Sequence, residues 1–260
     1  MTPASLMTAW LERQLPAEAA CWLRTQCDQL CRGGSERDFN LAISLAPRKL
    51  GKADLALGPR DLAAADAARP GWDPRGWSVD QAGRLLLLLV RGETGTAFAA
   101  RLRGLLAAAD LGETITFLRG LPLYPDPALH LGRAHEGVRS GMRPVFEAVA
   151  HNNPYPAEMF DESGWNQLVL KALFIESTLA PIRDLDGRAN PTLMRMLCDY
   201  AHERWAAGRL VSPELWRCVG PWADAAARDD LTRVLHHGDA AEREAAAAAL
   251  DAALASHYHA

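Results

Sequence analysis

Apolar residues recur every three or four positions through most of the chain, the period of a helix that buries one face. Ala20, Leu23, Cys27, Leu30 and Cys31 keep this spacing in one stretch, and Trp165, Leu168, Val169, Ala172, Leu173 and Glu176 lie along one side of another. Leu193, Met196, Leu197, Tyr200 and Arg204 predict the inner stripe of a third. Start signals stand ahead of such stripes: Thr2-Pro3, Pro16, Ser35 three before Asp38, Pro59, Ser78 three before Gln81, Asp126-Pro127, Pro144, Asp161, Asn190-Pro191, Ser212-Pro213 and Asp239 three before Glu242. At such a start a cap side chain accepts an otherwise unpaired N–H of the first turn, and proline has no N–H to leave unpaired there. Gly33-Gly34 and Gly208 are the matching stops.

Phe39, Leu41, Ile43 and Leu45 also alternate as a strand would. No second strand of similar quality is present to pair with it, and the Ser35 start favours helix. The reading is therefore all-α: antiparallel helix pairs joined by short turns, in a single domain over residues 1–260. The stretch from Gly238 through the alanine run to Leu250 resembles the second helix of a HEAT-type repeat. A strict repeat of about 40 residues is lacking, so the expectation is an irregular α-solenoid, a HEAT-like superhelix. Residues 70–77 read as a long connecting loop in which Trp72 and Trp77 offer themselves as exposed partner anchors, Pro154-Tyr155-Pro156 as a stiff extended segment, and the tail 257–260 as frayed.

Composition adds exclusions. With 49% hydrophobic residues a large core is available, and a net charge of -4 without a Lys/Arg cluster gives no footprint for nucleic acid. The five cysteines form no CxxC pair and read as small buried side chains in a reduced cytoplasm. The first ten residues lack a signal-peptide pattern and the apolar run 85–90 is too short to cross a bilayer, so a soluble cytoplasmic protein without membrane insertion is expected.

The specific-looking polar residues concentrate between 151 and 208. His151, Asn152 and Asn153 precede Pro154 and Tyr155, with Tyr155, Phe160 and Trp165 available as an apolar wall; an ordinary helix-to-helix turn explains them equally well. Asp186, Arg188 and Asn190 precede a helix start, where Arg188 can take a carboxylate or phosphate, or else pair with nearby acids. Asp199, His202 and Glu203 share one helix face, and Arg204 follows on the inner stripe. One carboxylate-x-x-His pair is too little for a helical metal site, so no metal and no cofactor are expected. Lys171, mid-helix, is an ion-pairing or snorkelling lysine before it is a catalytic amine. Nucleophile elbow, phosphate loop, GxGxxG and HExxH are all lacking.

At His151-Asn152-Asn153-Pro154-Tyr155-Pro156, at Trp165-Asn166-Gln167-Leu168-Val169-Leu170-Lys171-Ala172-Leu173-Phe174, at Asp186-Gly187-Arg188-Ala189-Asn190-Pro191 and from Asp199 through Arg209, the chain resembles the EboA-like family. These are metabolite-traffic proteins encoded in a bacterial and algal gene cluster. The likeness is densest over residues 151–209, and Glu176 departs from the family pattern. The resemblance implies a cytoplasmic protein that acts with other products of its cluster, including enzyme-like proteins and a prenyltransferase-like membrane protein, in making or moving a small secondary metabolite. It brings no established catalytic residues. The leading expectation is a non-catalytic helical scaffold or binding protein that uses the 151–208 surface. The alternative is an enzyme acting on a hydrophobic, prenylated metabolite, with His151 or His202 as acid/base, Asp199 or Asp186 orienting it, and Arg188 holding an anionic group.

Overall fold

Residues 1–257 are described by the computed structural model, and it is all-α: among them there are fifteen α-helices and no strand. The chain divides into two compact units, Met1–Met159 and Phe160–Ala260.

The first unit holds α1 (Pro3–Gln14), α2 (Ala17–Cys31), α3 (Glu36–Leu50), α4 (Pro59–Ala68), α5 (Val79–Leu89), α6 (Gly95–Ala108), α7 (Leu111–Arg119), α8 (Leu131–Arg139), α9 (Arg143–Ala150) and the single-turn α10 (Tyr155–Met159). The cap reading holds locally: Thr2 accepts from Ser5 N–H, and Ser35 with Asp38 forms a reciprocal capping box. That box starts a helix through Phe39 and Ile43, so the strand alternative fails. Helix α5 is buried almost all round and packs on α1, α2, α3 and α7, as expected of a helix whose apolar residues do not keep to one stripe. Its two buried charges pair internally: Arg84 donates to Asp80 at 3.2 Å, to Glu113 at 3.3 Å and to the Ile43 carbonyl at 3.2 Å.

Three expectations for this unit need correction. Trp72 and Trp77 are only 2% and 4% exposed, because Trp72 packs at a tilt between Trp10, at a centroid distance of 5.5 Å, and Trp77, at 6.0 Å; a loop rich in turn residues here folds its indoles into the core. Pro154-Tyr155-Pro156 is not extended, since Asn153 Oδ1 accepts from Tyr155 N–H at 3.0 Å and starts α10. Asp126 adopts a left-handed φ of 52° and accepts from Gly95 N–H at 2.6 Å instead of capping, so the segment after it opens as a 3-10 turn.

The second unit holds α11 (Glu162–Phe174), α12 (Pro191–Ala206), α13 (Leu215–Val219), α14 (Ala225–His237) and α15 (Ala240–His257). Helix α11 stops at Phe174, leaving Glu176 outside it at φ 57°. The buried stripe of α12 runs through Leu193, Met194, Leu197, Cys198 and Ala201, rotated from the expected one so that Met196, Tyr200 and Arg204 sit at its margin. Helix α14, capped by Asp224 through Ala227 N–H, has no counterpart in the sequence reading and packs on α15. Gly220 lets the backbone of Ala249 in α15 approach closely, since an added Cβ would lie 2.6 Å from the Ala249 carbonyl oxygen. Of the tail expected to fray, His257 is the last described helical residue and residues 258–260 lie outside the described range.

The cysteines divide. Cys198 and Cys218 are buried as expected, and burial pushes both thiols up to about 12. Cys21 and Cys31 are exposed instead, although the Cys31 thiol donates to the Val90 carbonyl at 3.1 Å, while Cys27 is half-buried.

Candidate ligand-binding site

In the first unit the loop over 70–77 and the turn over 151–154 meet. Gly71 makes the approach possible: its φ of +77° suits glycine, and an added Cβ would lie 2.8 Å from Pro154 Cβ. Asn153, 4% exposed, ties the turn to the core by donating Nδ2–H to the carbonyls of Leu118 at 3.3 Å and Ala148 at 3.2 Å. Tyr155 is wholly buried and donates its hydroxyl to the Pro127 carbonyl at 2.5 Å; burial raises its pKa.

Between these loops lies a cavity of about 240 Å³ lined by Asp73, Arg75, Gly76, Trp77, Arg119, Glu147, Ala148, His151, Asn152 and Asn153. Asp73 is 6% exposed and takes Arg75 as a bidentate partner, with Nε 2.9 Å from both carboxylate oxygens. Glu147 accepts from Arg143 Nε at 2.7 Å. Arg119, the last residue of α7, spends one nitrogen, Nη1, on two neutral acceptors, the Gly76 carbonyl and Gln81 Oε1, each at 2.9 Å. Burial lowers its pKa, opposed by the negative charge of Glu147. Asn152 stands at the cavity wall with a left-handed φ of 50°, a conformation asparagine tolerates better than most residues.

Of the residues singled out by sequence, His151, Asn152 and Asn153 are thus brought to one cavity. Asp73, Arg75, Arg119 and Glu147 join them there and were not foreseen. The density of Pro, Gly, Asp and Trp over 70–77 was a readable sign for Asp73 and Arg75; Arg119 and Glu147 carry no local signal.

In the second unit Arg188, Asn190, Asp186, Arg204 and His202 are engaged by the protein. Arg188 lies 4.8 Å over the Trp165 ring and donates to the Phe160 carbonyl at 2.9 Å. Asn190 caps α12 through Leu193 N–H at 2.8 Å and exchanges amide bonds with Asn166 at 2.8 and 3.2 Å. Asp186 pairs with Arg217 at 2.5 Å, not with the arginines nearest in sequence, and Arg204 donates to the Leu210 carbonyl at 2.9 Å. His202 meets Asp230 of α14 at 2.8 Å rather than Asp199 on its own helix; Asp199 is exposed. Lys171 sits 5.6 Å from the Phe174 ring, itself exposed, while Trp165 is wholly buried. Glu214, unremarked in sequence, holds the loop over 178–180 through Thr178 Oγ1, Leu179 N–H and Ala180 N–H.

A larger hollow of about 650 Å³ in the first unit runs between α3 and α6. On the α6 side it is lined by Ala97, Ala100, Gly104 and Ala108, which offer nothing larger than a methyl group to fill it. Its charged residues are matched, Arg101 by Glu93 and Glu36 and Glu113 by Arg84, so it shows no unmet chemistry. Among the described residues no group of three His, Cys, Asp or Glu side chains is placed to hold a metal ion, and no helix is long and apolar enough to cross a membrane.

No curated protein and no solved structure matches the chain. A family model, described as metabolite traffic protein EboA, matches residues 3–220, a span that takes in all of the cavity and the polar residues of α11 and α12. The chain therefore belongs to the EboA family of metabolite traffic proteins.

Proposed function

We propose that the protein is a non-catalytic binding component in the making or movement of a small secondary metabolite, and that the cavity of the first unit receives the metabolite. The observation that carries this is the convergence of His151, Asn152 and Asn153, from the turn that bears the family resemblance, on a small cavity walled by charged side chains. At about 240 Å³ it lies below the usual range of roughly 300–1,000 Å³ for sites that enclose a drug-sized molecule, so it suits a small polar compound or the polar end of a larger one. The protein works in the cytoplasm in this reading, together with other proteins of its gene cluster. The family match runs across the boundary between the two compact units, which supports treating the chain as one functional domain, with its helix pairs as a HEAT-like frame for partners.

Native mass spectrometry of the protein purified gently from its host tests this. A small mass is expected to accompany the wild type and to be lost from folded His151→Ala/Asn152→Ala protein. Retention of that mass by the folded variant would place the site elsewhere. An enzyme is the second reading, favoured by His151 lining the same cavity as the carboxylates of Asp73 and Glu147. New product masses on incubating the protein with host extract, abolished by His151→Ala, would establish it. The charged lining gives little support to a prenyl group as the part bound there.

A further inference from the structure

We propose that the cavity beside the 151–154 turn receives a monocarboxylate, clamped by Arg119 and Asn152; this rests on the cavity being the ligand site. The lining charges separate into satisfied and unsatisfied ones. Asp73 is taken by Arg75 in a bidentate pair, and Glu147 accepts from Arg143, which stands outside the lining. Arg119 has a different situation. Both its hydrogen bonds leave from Nη1 and end on neutral oxygens, so among the described residues Nε and Nη2 have no acceptor. Its side chain is half-buried, and although the charge of Glu147 acts on it, N–H groups of a cation left without an acceptor in such a place favour an anionic guest. Asn152 also lines the cavity, with no hydrogen bond to its side-chain amide among the described residues.

Two residues with unmade donors therefore line one small space. The guanidinium edge formed by Nε and Nη2 is the fork that matches the two oxygens of a carboxylate, and an amide N–H beside it adds a third donor. The lining also bears on the ligand class: with the carboxylates of Asp73 and Glu147 in the same wall, a singly charged guest meets less repulsion than a phosphate dianion. The acid is either a small molecule in itself or the acidic end of a larger metabolite.

Amide NMR spectra of the full chain titrated with lactate, propionate and inorganic phosphate decide the matter. Lactate and propionate are expected to give saturable shifts at Gly76, Arg119 and Asn152, with Kd on the order of 1 mM for so few atoms. Arg119→Gln should weaken this at least tenfold, and Arg119→Lys, which keeps the charge without the fork, by several-fold. Phosphate should bind more weakly than either acid. If Arg119→Gln fails to fold, the lysine variant and the wild-type titrations still decide. Absence of saturable shifts, equal binding by the folded variants, or tighter binding of phosphate overturns the proposal. A neutral compound from host extract that shifts the same amides while the acids do not would overturn the carboxylate assignment and leave the ligand site standing.

Discussion

The two units use similar side chains to opposite ends. Around the 151–154 turn, Arg119 and Asn152 line a cavity with hydrogen bonds unmade, while in the second unit Arg188, Asn190, Asp186 and His202 have each been taken up by a named partner. Arg188 shows the difference best. In sequence it looked like an anion-binding arginine before a helix start, yet Trp165 covers one face of its guanidinium and the Phe160 carbonyl takes a donor. An arginine held so fixes a loop against a helix. One whose fork has no acceptor is available to a guest, and sequence alone cannot tell these apart.

The comparison can be strained at several points. The largest effect is expected at Asn153, whose amide ties the turn to two carbonyls and to Tyr155 N–H; Asn153→Leu should lower stability by about 3 kcal/mol in denaturant titrations and abolish ligand binding through loss of the turn. Next comes Asn190→Ala, which removes the α12 cap and the Asn166 partner: about 1–2 kcal/mol is expected, and the Asn166→Ala/Asn190→Ala cycle should show coupling, with ligand binding unchanged. Loss of binding in that variant while folding is retained would erase the distinction between the units.

A pH effect should follow from the first unit. His130 is buried edge-on to Phe98 and Tyr124, and burial lowers its pKa against the opposing help of Pro125 O and Asp126. The unfolded chain therefore takes up the proton first. Stability contributed by keeping this imidazole neutral is present above the ordinary histidine value near 6.5 and is lost as pH falls toward the lower folded value. Melting temperatures of wild type and His130→Gln between pH 7.5 and 5 should show the smaller acid loss in the variant. The smallest effect is expected at His202, whose pair with Asp230 lies on an exposed side chain: His202→Ala should change stability by no more than about 0.5–1 kcal/mol, read as the shift in denaturant midpoint, and leave binding intact.

What could be read from the chain followed the range of the physics. Caps at Thr2, Ser35, Asp161 and Asn190 were legible because a cap is made within four residues. Helix α14 escaped because Ala227, Leu231 and Val234 make a sparse stripe in a polar, alanine-rich run. The α12 stripe is rotated from the expected one because Met194 and Cys198, apolar residues adjacent to Leu193 and Leu197, complete it in place of Met196 and Tyr200. The motif at 151–153 is legible as a motif, but half of its cavity lining comes from Asp73, Arg75, Gly76, Trp77 and Arg119, brought there by packing between segments far apart in the chain.

The row of indoles from Trp10 through Trp72 to Trp77 has a practical side. With ring centroids 5.5 and 6.0 Å apart, these fluorophores are close enough to share excitation, and the outermost of them forms part of the cavity wall. Occupancy of the cavity should then be visible in the protein's own emission, without a dye, and Trp77→Phe should remove that optical readout.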